Sequence, residues 1–164
     1  MKSIPFVKPW IDKKELHEAL QLQFVTSLGE VSKQLERFFE RKFGVRRALL
    51  VGSCTHALEI ALMSLGLKKG DEVICPSFTF VSTVSSIIKA GGKAVFVDIE
   101  PNSLGLDPVE VEKSINSKTK AVILVHYGGI PAQVDKIRKI CAKRKLKLIE
   151  DAAQGFLLKS KISI

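Results

Sequence analysis

Cysteine is scarce in this sequence. Three occur, at Cys54, Cys75 and Cys141, an odd number without the short paired spacing of a zinc site or the density of a disulfide framework. Neither a metal nor a disulfide net is expected. Long hydrophobic runs are missing too. No stretch approaches the ~20 apolar residues that span a bilayer, and the opening MKSIPFVKPW lacks the apolar centre of a secretory signal. These absences argue against a membrane role and make a reducing cytoplasm the expected setting. The hairpin dipeptides Asn-Gly and Asp-Gly do not occur, which argues against a sheet built from tight turns. Neither G-x-G-x-x-G nor the Walker pattern is present, so dinucleotides and ATP lose ground as ligands.

Acidic residues are also in deficit. Asp and Glu number 17 against 26 Lys and Arg, a formal charge of +9. The basic residues are dispersed, and their densest run, 136–147, has the pattern of the wet face of a helix. No patch of aromatics and glycines accompanies them, so nucleic acid is not an expected partner. The charge is a weak cue for acidic ligands.

What is present is a core. Over 164 residues, 46% are hydrophobic, enough for one globular domain. The first segment reads as helix: 11–23 is one candidate. In a second, Val31, Leu35, Phe38 and Phe39 recur at i, i+4, i+7 and i+8, with Gly44 as a stop. From residue 47 the pattern changes. ALLVG at 48–52 reads as a strand buried on both faces. It is followed by THALEIALMSLG (helix), DEVICP (strand), TFVSTVSSIIKAG (helix), KAVFVDI (strand), DPVEVEKSI (helix with an Asp cap and Pro in its first turn), KAVILVHY (strand), AQVDKIRKICAKRK (helix) and LKLIED (strand). Uninterrupted alternation predicts an α/β, three-layer fold, its mainly parallel sheet flanked by helices.

Ligands of such sheets bind beyond the carboxyl ends of the strands, so the strand-end loops carry the candidates. In GSCTHA the helix start and the Ser53 and Thr55 hydroxyls can cradle a phosphate, or one hydroxyl simply caps the helix. In PSFTF either Phe78 or Phe80 can stack on a planar ligand, or both are core. Asp98 is expected to satisfy nearby loop amides, and His126 to be more often structural than catalytic. Asp151, in EDAAQ, has the strongest chemical case. A carboxylate at the end of a buried strand needs a positive partner. No His/Asp/Glu cluster suggests a metal, and a protonated ring nitrogen fits: the carboxylate keeps that nitrogen protonated and lets the ring act as an electron sink.

Taken together, LLVGSCTHALEIAL, GDEVICPSFTFVSTVSSIIKAGGKAVFVDI, KTKAVILVHYGGIPAQVDKI and LIEDAAQ resemble, in order and spacing, the DegT/DnrJ/EryC1/StrS sugar aminotransferases. These are pyridoxal 5'-phosphate enzymes of fold type I. The resemblance implies an N-terminal portion: a helical segment at 1–45, part of the cofactor-binding large domain at 46–155, and an aberrant tail at 156–164. It implies that Cys54 and Thr55 hold the cofactor phosphate, Phe80 stacks on the ring, Asp151 pairs with its nitrogen and Gln154 reaches its phenolic oxygen. It places Thr26, Ser27 and Gly29 near the sugar-nucleotide site, although the family's usual glycine-proline pair is here Leu28 then Gly29. It also implies amination of a nucleotide-linked 4-keto-6-deoxyhexose for surface polysaccharide, with glutamate as donor, and a homodimer once completed.

The family's Schiff-base lysine, in a Ser-Phe-…-Lys context, is not found, so no catalytic residue is assigned. Lys159 and Lys161 are poor substitutes: Lys161 falls where the family has a Lys-Gly surface turn, and Ile162 follows it. The chain alone is expected to be inactive and aggregation-prone. The implied sheet order, 1-7-6-5-4-2-3, leaves its first strand without neighbours. A flavodoxin-like binding module, or a degenerate partner of an intact paralogue, are the alternatives.

Overall fold

The computed structural model describes residues 12–21 and 29–155, which fall into two compact units, one within Met1–Leu50 and one within Val51–Ile164.

The first unit contributes two helices. Helix α1 (Lys13–Leu20) is capped by Asp12, whose carboxylate accepts from the amides of Lys14 and Glu15. Helix α2 (Glu30–Phe43) ends as its glycine predicts: Gly44 takes φ 62 and donates its amide to the Glu40 carbonyl. The apolar stripe of α2 is not a core, since Val31, Leu35 and Phe38 all stay exposed. After α2 comes the clearest departure from expectation. ALLVG forms no strand. A strand needs a neighbour to take its amides, and here side chains of α2 take them. Glu40 accepts from the Ala48 amide at 3.2 Å and Glu36 from the Leu50 amide at 2.9 Å. Leu49 remains 66% exposed.

The second unit is the sheet. Its strands are β1 (Glu72–Pro76), β2 (Lys93–Val97), β3 (Thr119–Val125) and β4 (Lys147–Asp151), all parallel, in the order β2-β1-β3-β4. These are the second to fifth predicted strands, in the relative order the resemblance implies. Helices α3 (Cys54–Met63) and α4 (Ser82–Lys89) connect on one side, and α5 (Pro108–Ser114) and α6 (Val134–Arg144) on the other. Period-two alternation explains the two layers. Val73, Cys75, Ala121, Ile123 and Val125 pack with Leu58, Leu62 and Ile87 of α3 and α4. Ile74, Val122 and Leu124 pack with Val111 and Ile137 of α5 and α6. β1 and β3, covered on both faces, are therefore buried along nearly their whole length, while β2 and β4 at the edges are only partly buried.

Asp107 caps α5 through the Val109 amide at 2.8 Å, with Pro108 in the first turn as read from sequence. Asp98 does not serve the loop after β2: its side chain makes no hydrogen bond among the described residues. Glu100 takes that part. Buried, it accepts from the amides of Asn102 (3.0 Å) and Ser103 (2.8 Å) and from the Ser103 hydroxyl. Among the described residues no helix is long and apolar enough to cross a membrane, and no group of three or more His, Cys, Asp or Glu could hold a metal.

Candidate active site

Strand order reverses between β1 and β3, the switch point where a doubly wound sheet opens a crevice beyond its carboxyl ends. A pocket of about 230 Å³ sits there. Its walls come from the start of α3, the loop after β1, the end of β3 and the end of β4. Cys54, Thr55, Phe80, Asp151 and Gln154, named from sequence, all line it. Thr26 and Ser27 lie outside the described residues, and Gly29 is the N-cap of α2 in the first unit.

The α3 end is a helix N-terminus with its amides partly spare. Ser53, not Thr55, is the cap: its hydroxyl accepts the His56 amide at 3.2 Å. The Cys54 and Thr55 amides have no acceptor among the described residues, and Thr55 faces the pocket. Amides of this kind, at the positive end of the helix dipole, suit a phosphate.

The two phenylalanines of PSFTF are both outside the core. Phe78 packs its ring on Tyr127, with centroids 4.4 Å apart. Phe80 is 70% exposed on the pocket wall and meets no other ring among the described residues. An apolar face left open at a pocket is a stacking surface in waiting.

Asp151 ends β4, and its carbonyl accepts the His126 amide at 3.0 Å, which extends the β3–β4 ladder by one rung. The carboxylate is nearly buried, at 7% exposure. Both of its hydrogen bonds fall on Oδ1, from the Cys54 thiol at 3.5 Å and the Ala153 amide at 3.1 Å. Oδ2 accepts none among the described residues. Burial first, and then the facing Asp151 carboxylate, push the Cys54 thiol above its ordinary range.

Gln154 is oriented by a turn. Tyr127–Gly129 form a short 3-10 turn in which Gly128 (φ 62) donates its amide to Gln154 Oε1 at 2.7 Å. That bond identifies the oxygen, so the amide nitrogen of Gln154 is the group left for a ligand. Gly129, at φ 76, has no room for more: a Cβ there would lie 2.9 Å from the Gln154 carbonyl oxygen.

His126 is buried and also lines the pocket. Its Nδ1 accepts the Ala132 amide at 3.2 Å, which places the proton on Nε2, 3.6 Å from Glu150 Oε2. Thr79, Ser82 and Tyr127 also line the wall. Sequence reading did not single these three out. The turn glycines after β3 were the available signal for Tyr127, and the Thr79–Thr83 hydroxyl bond at 2.9 Å had none.

A spare helix N-terminus, an open aromatic face, a carboxylate with one free oxygen and a donor amide are groups that suit a phosphorylated, protonated heterocycle. At about 230 Å³ the pocket has room for one substituted ring.

Comparison with known proteins identifies the family. The profile of the DegT/DnrJ/EryC1/StrS aminotransferase family matches residues 11–161. The spore coat polysaccharide biosynthesis protein SpsC of Bacillus subtilis is 39% identical over 154 residues, which is 93% of this chain and 40% of SpsC. Helicobacter pylori PseC, an aminotransferase of pseudoaminic acid biosynthesis, superposes with a TM-score of 0.89 at 28% identity, covering 98% of this chain and 44% of PseC. The E. coli GDP-4-keto-6-deoxy-D-mannose-3-dehydratase with bound hydrated pyridoxal phosphate does so at 0.88 and 29%, covering 100% and 44%. The chain thus spans well under half the length of these relatives. The match decides against a flavodoxin-like module, whose sheet order the four strands alone would also fit. The chain belongs to the DegT/DnrJ/EryC1/StrS aminotransferase family of pyridoxal-phosphate-dependent enzymes.

Proposed function

We propose that this chain is the cofactor-bed portion of a sugar aminotransferase that aminates a nucleotide-linked 4-keto-6-deoxyhexose, with glutamate as donor, for surface polysaccharide. The observation that carries it is the convergence of Cys54, Thr55, Phe80, Asp151 and Gln154, separated by up to a hundred positions, in one pocket. The name of the Bacillus subtilis relative supports the polysaccharide setting.

When bound, pyridoxal phosphate supplies an electron sink for amino-group transfer. The chain's own residues bind and orient it. The Cys54 and Thr55 amides and the Thr55 hydroxyl hold the phosphate. Phe80 covers one face of the ring and excludes water from it. Asp151 keeps a proton on the ring nitrogen, and Gln154 donates to the ring oxygen. Thr26, Ser27 and Gly29 belong to the sugar-nucleotide side, and the completed protein is a homodimer.

No lysine lines the pocket among the described residues. The amine that attaches the cofactor and relays the proton is therefore not one of the residues assembled here. The chain by itself binds pyridoxal phosphate and does not transfer amino groups. Titration followed by absorbance and fluorescence tests this, with saturable binding expected for the wild type and lost in Asp151→Asn. Amino transfer from glutamate to a keto-sugar nucleotide by the purified chain would overturn the inactive reading. Absence of binding would overturn the cofactor reading.

A further inference from the structure

The residue at position 54 carries more than the phosphate role expected of it. Its backbone amide belongs to the helix start, but its side chain points elsewhere: Sγ lies 3.5 Å from Asp151 Oδ1. The Ala153 amide donates to that same oxygen at 3.1 Å. We propose that Cys54 is a positioning residue whose thiol, with the Ala153 amide, holds Oδ1 of Asp151 so that Oδ2 alone pairs with a protonated ring nitrogen. This rests on the cofactor reading above and adds to it a group that sets the carboxylate's rotation.

The chemistry of the thiol suits the task. A thiol is a weak donor. It fixes the direction of the carboxylate without drawing off the negative charge that a cation needs, as a lysine or arginine would. It must stay protonated to donate, and burial together with the Asp151 charge keeps it so. Thr55 and the α3 amides are left for the phosphate, so the two ends of the ligand are served by separate groups.

The contact can be read without the cofactor. Cys75 and Cys141 are buried, their thiols pushed up to about 11 by burial, so iodoacetamide reports on Cys54. Asp151→Asn removes the opposing charge, and alkylation of Cys54, followed by mass spectrometry, speeds up several-fold. In fluorescence titrations with pyridoxal phosphate, Cys54→Ala weakens binding by roughly three- to tenfold, the worth of about one net hydrogen bond. Cys54→Ser, which restores a donor, recovers most of the affinity. An unchanged alkylation rate in Asp151→Asn, or equal binding by the Ala variant and the wild type, overturns the proposal. No saturable binding by the wild type overturns the cofactor reading itself, and the proposal with it.

Discussion

Two buried carboxylates show how the same side chain is used in opposite ways. Glu100 is saturated: two amides and a hydroxyl point at it, and these bonds, the Ser103 hydroxyl first, hold its carboxyl at about 2, below the usual 4.5. Asp151 is bonded on one oxygen only and faces a pocket. The first is structural and the second is free to act. Because the folded value of Glu100 is depressed, the unfolded chain takes up a proton before the folded one does. The stability it contributes is full above about 4.5 and drains as pH falls toward about 2. Urea melts of wild type and Glu100→Gln therefore differ most at neutral pH and converge on acidification. A constant gap would show that the loop bonds do not depend on ionisation. Phe80 gives a second expectation. A core phenylalanine cut to alanine costs about 3–5 kcal/mol, but Phe80 is exposed. Phe80→Ala should leave the melting temperature nearly unchanged and weaken pyridoxal phosphate binding by about two- to tenfold, the worth of one stacked ring.

At the scale of elements, the turn after β3 connects local backbone chemistry to the site. The Gly128 amide holds Gln154, and Gly129 passes against the Gln154 carbonyl in a left-handed conformation. Gly129→Ala meets both obstacles, a strained φ costing about 1–3 kcal/mol and a clash with backbone. It should lower the melting temperature and cofactor affinity together, unlike Phe80→Ala. Thermal melts with and without pyridoxal phosphate separate the two patterns. The same scale shows what the sequence can and cannot convey. β1 and β3 were legible because central strands must be apolar on both faces, as EVICP and KAVILV are. Asp151 was legible because an acid at a strand end stands out, whereas Phe78 and Phe80 stand equal in PSFTF and only the resemblance singled out Phe80. ALLVG misled for the same reason that made β1 clear. An apolar run records a preference for burial, not the presence of a neighbour, and Glu36 and Glu40 hold the amides that a sheet would otherwise bond. The Cys54–Asp151 contact spans 97 positions, and only the folded sheet brings them together.

At the scale of the molecule, the question is which unsatisfied surface dominates. Besides the exposed stripe of α2 and the outer side of β2, two surfaces stand out. One is the free edge of β4, whose outer side has no strand partner among the described residues. Edges of this kind recruit other chains, but this one carries exposed charges at Lys147 and Glu150, which blunt pairing. The other is the run at 48–51, where Leu49 is 66% and Leu50 37% exposed and the amides of Ala48 and Leu50 are already bonded. Its demand is hydrophobic, not hydrogen-bonding. Apolar burial is worth about 25 cal/mol per Å², with no charge in this run to oppose it, so we expect the apolar run to drive association. The purified chain should self-associate at concentrations from ~10 μM upward, as read by sedimentation or light scattering. The double substitution Leu49→Ser, Leu50→Ser should suppress this without lowering the melting temperature, because neither side chain is in the core. Association that persists in the double variant would assign it to a sheet edge or to the exposed stripe of α2, and a wild-type monomer across that range would remove them all.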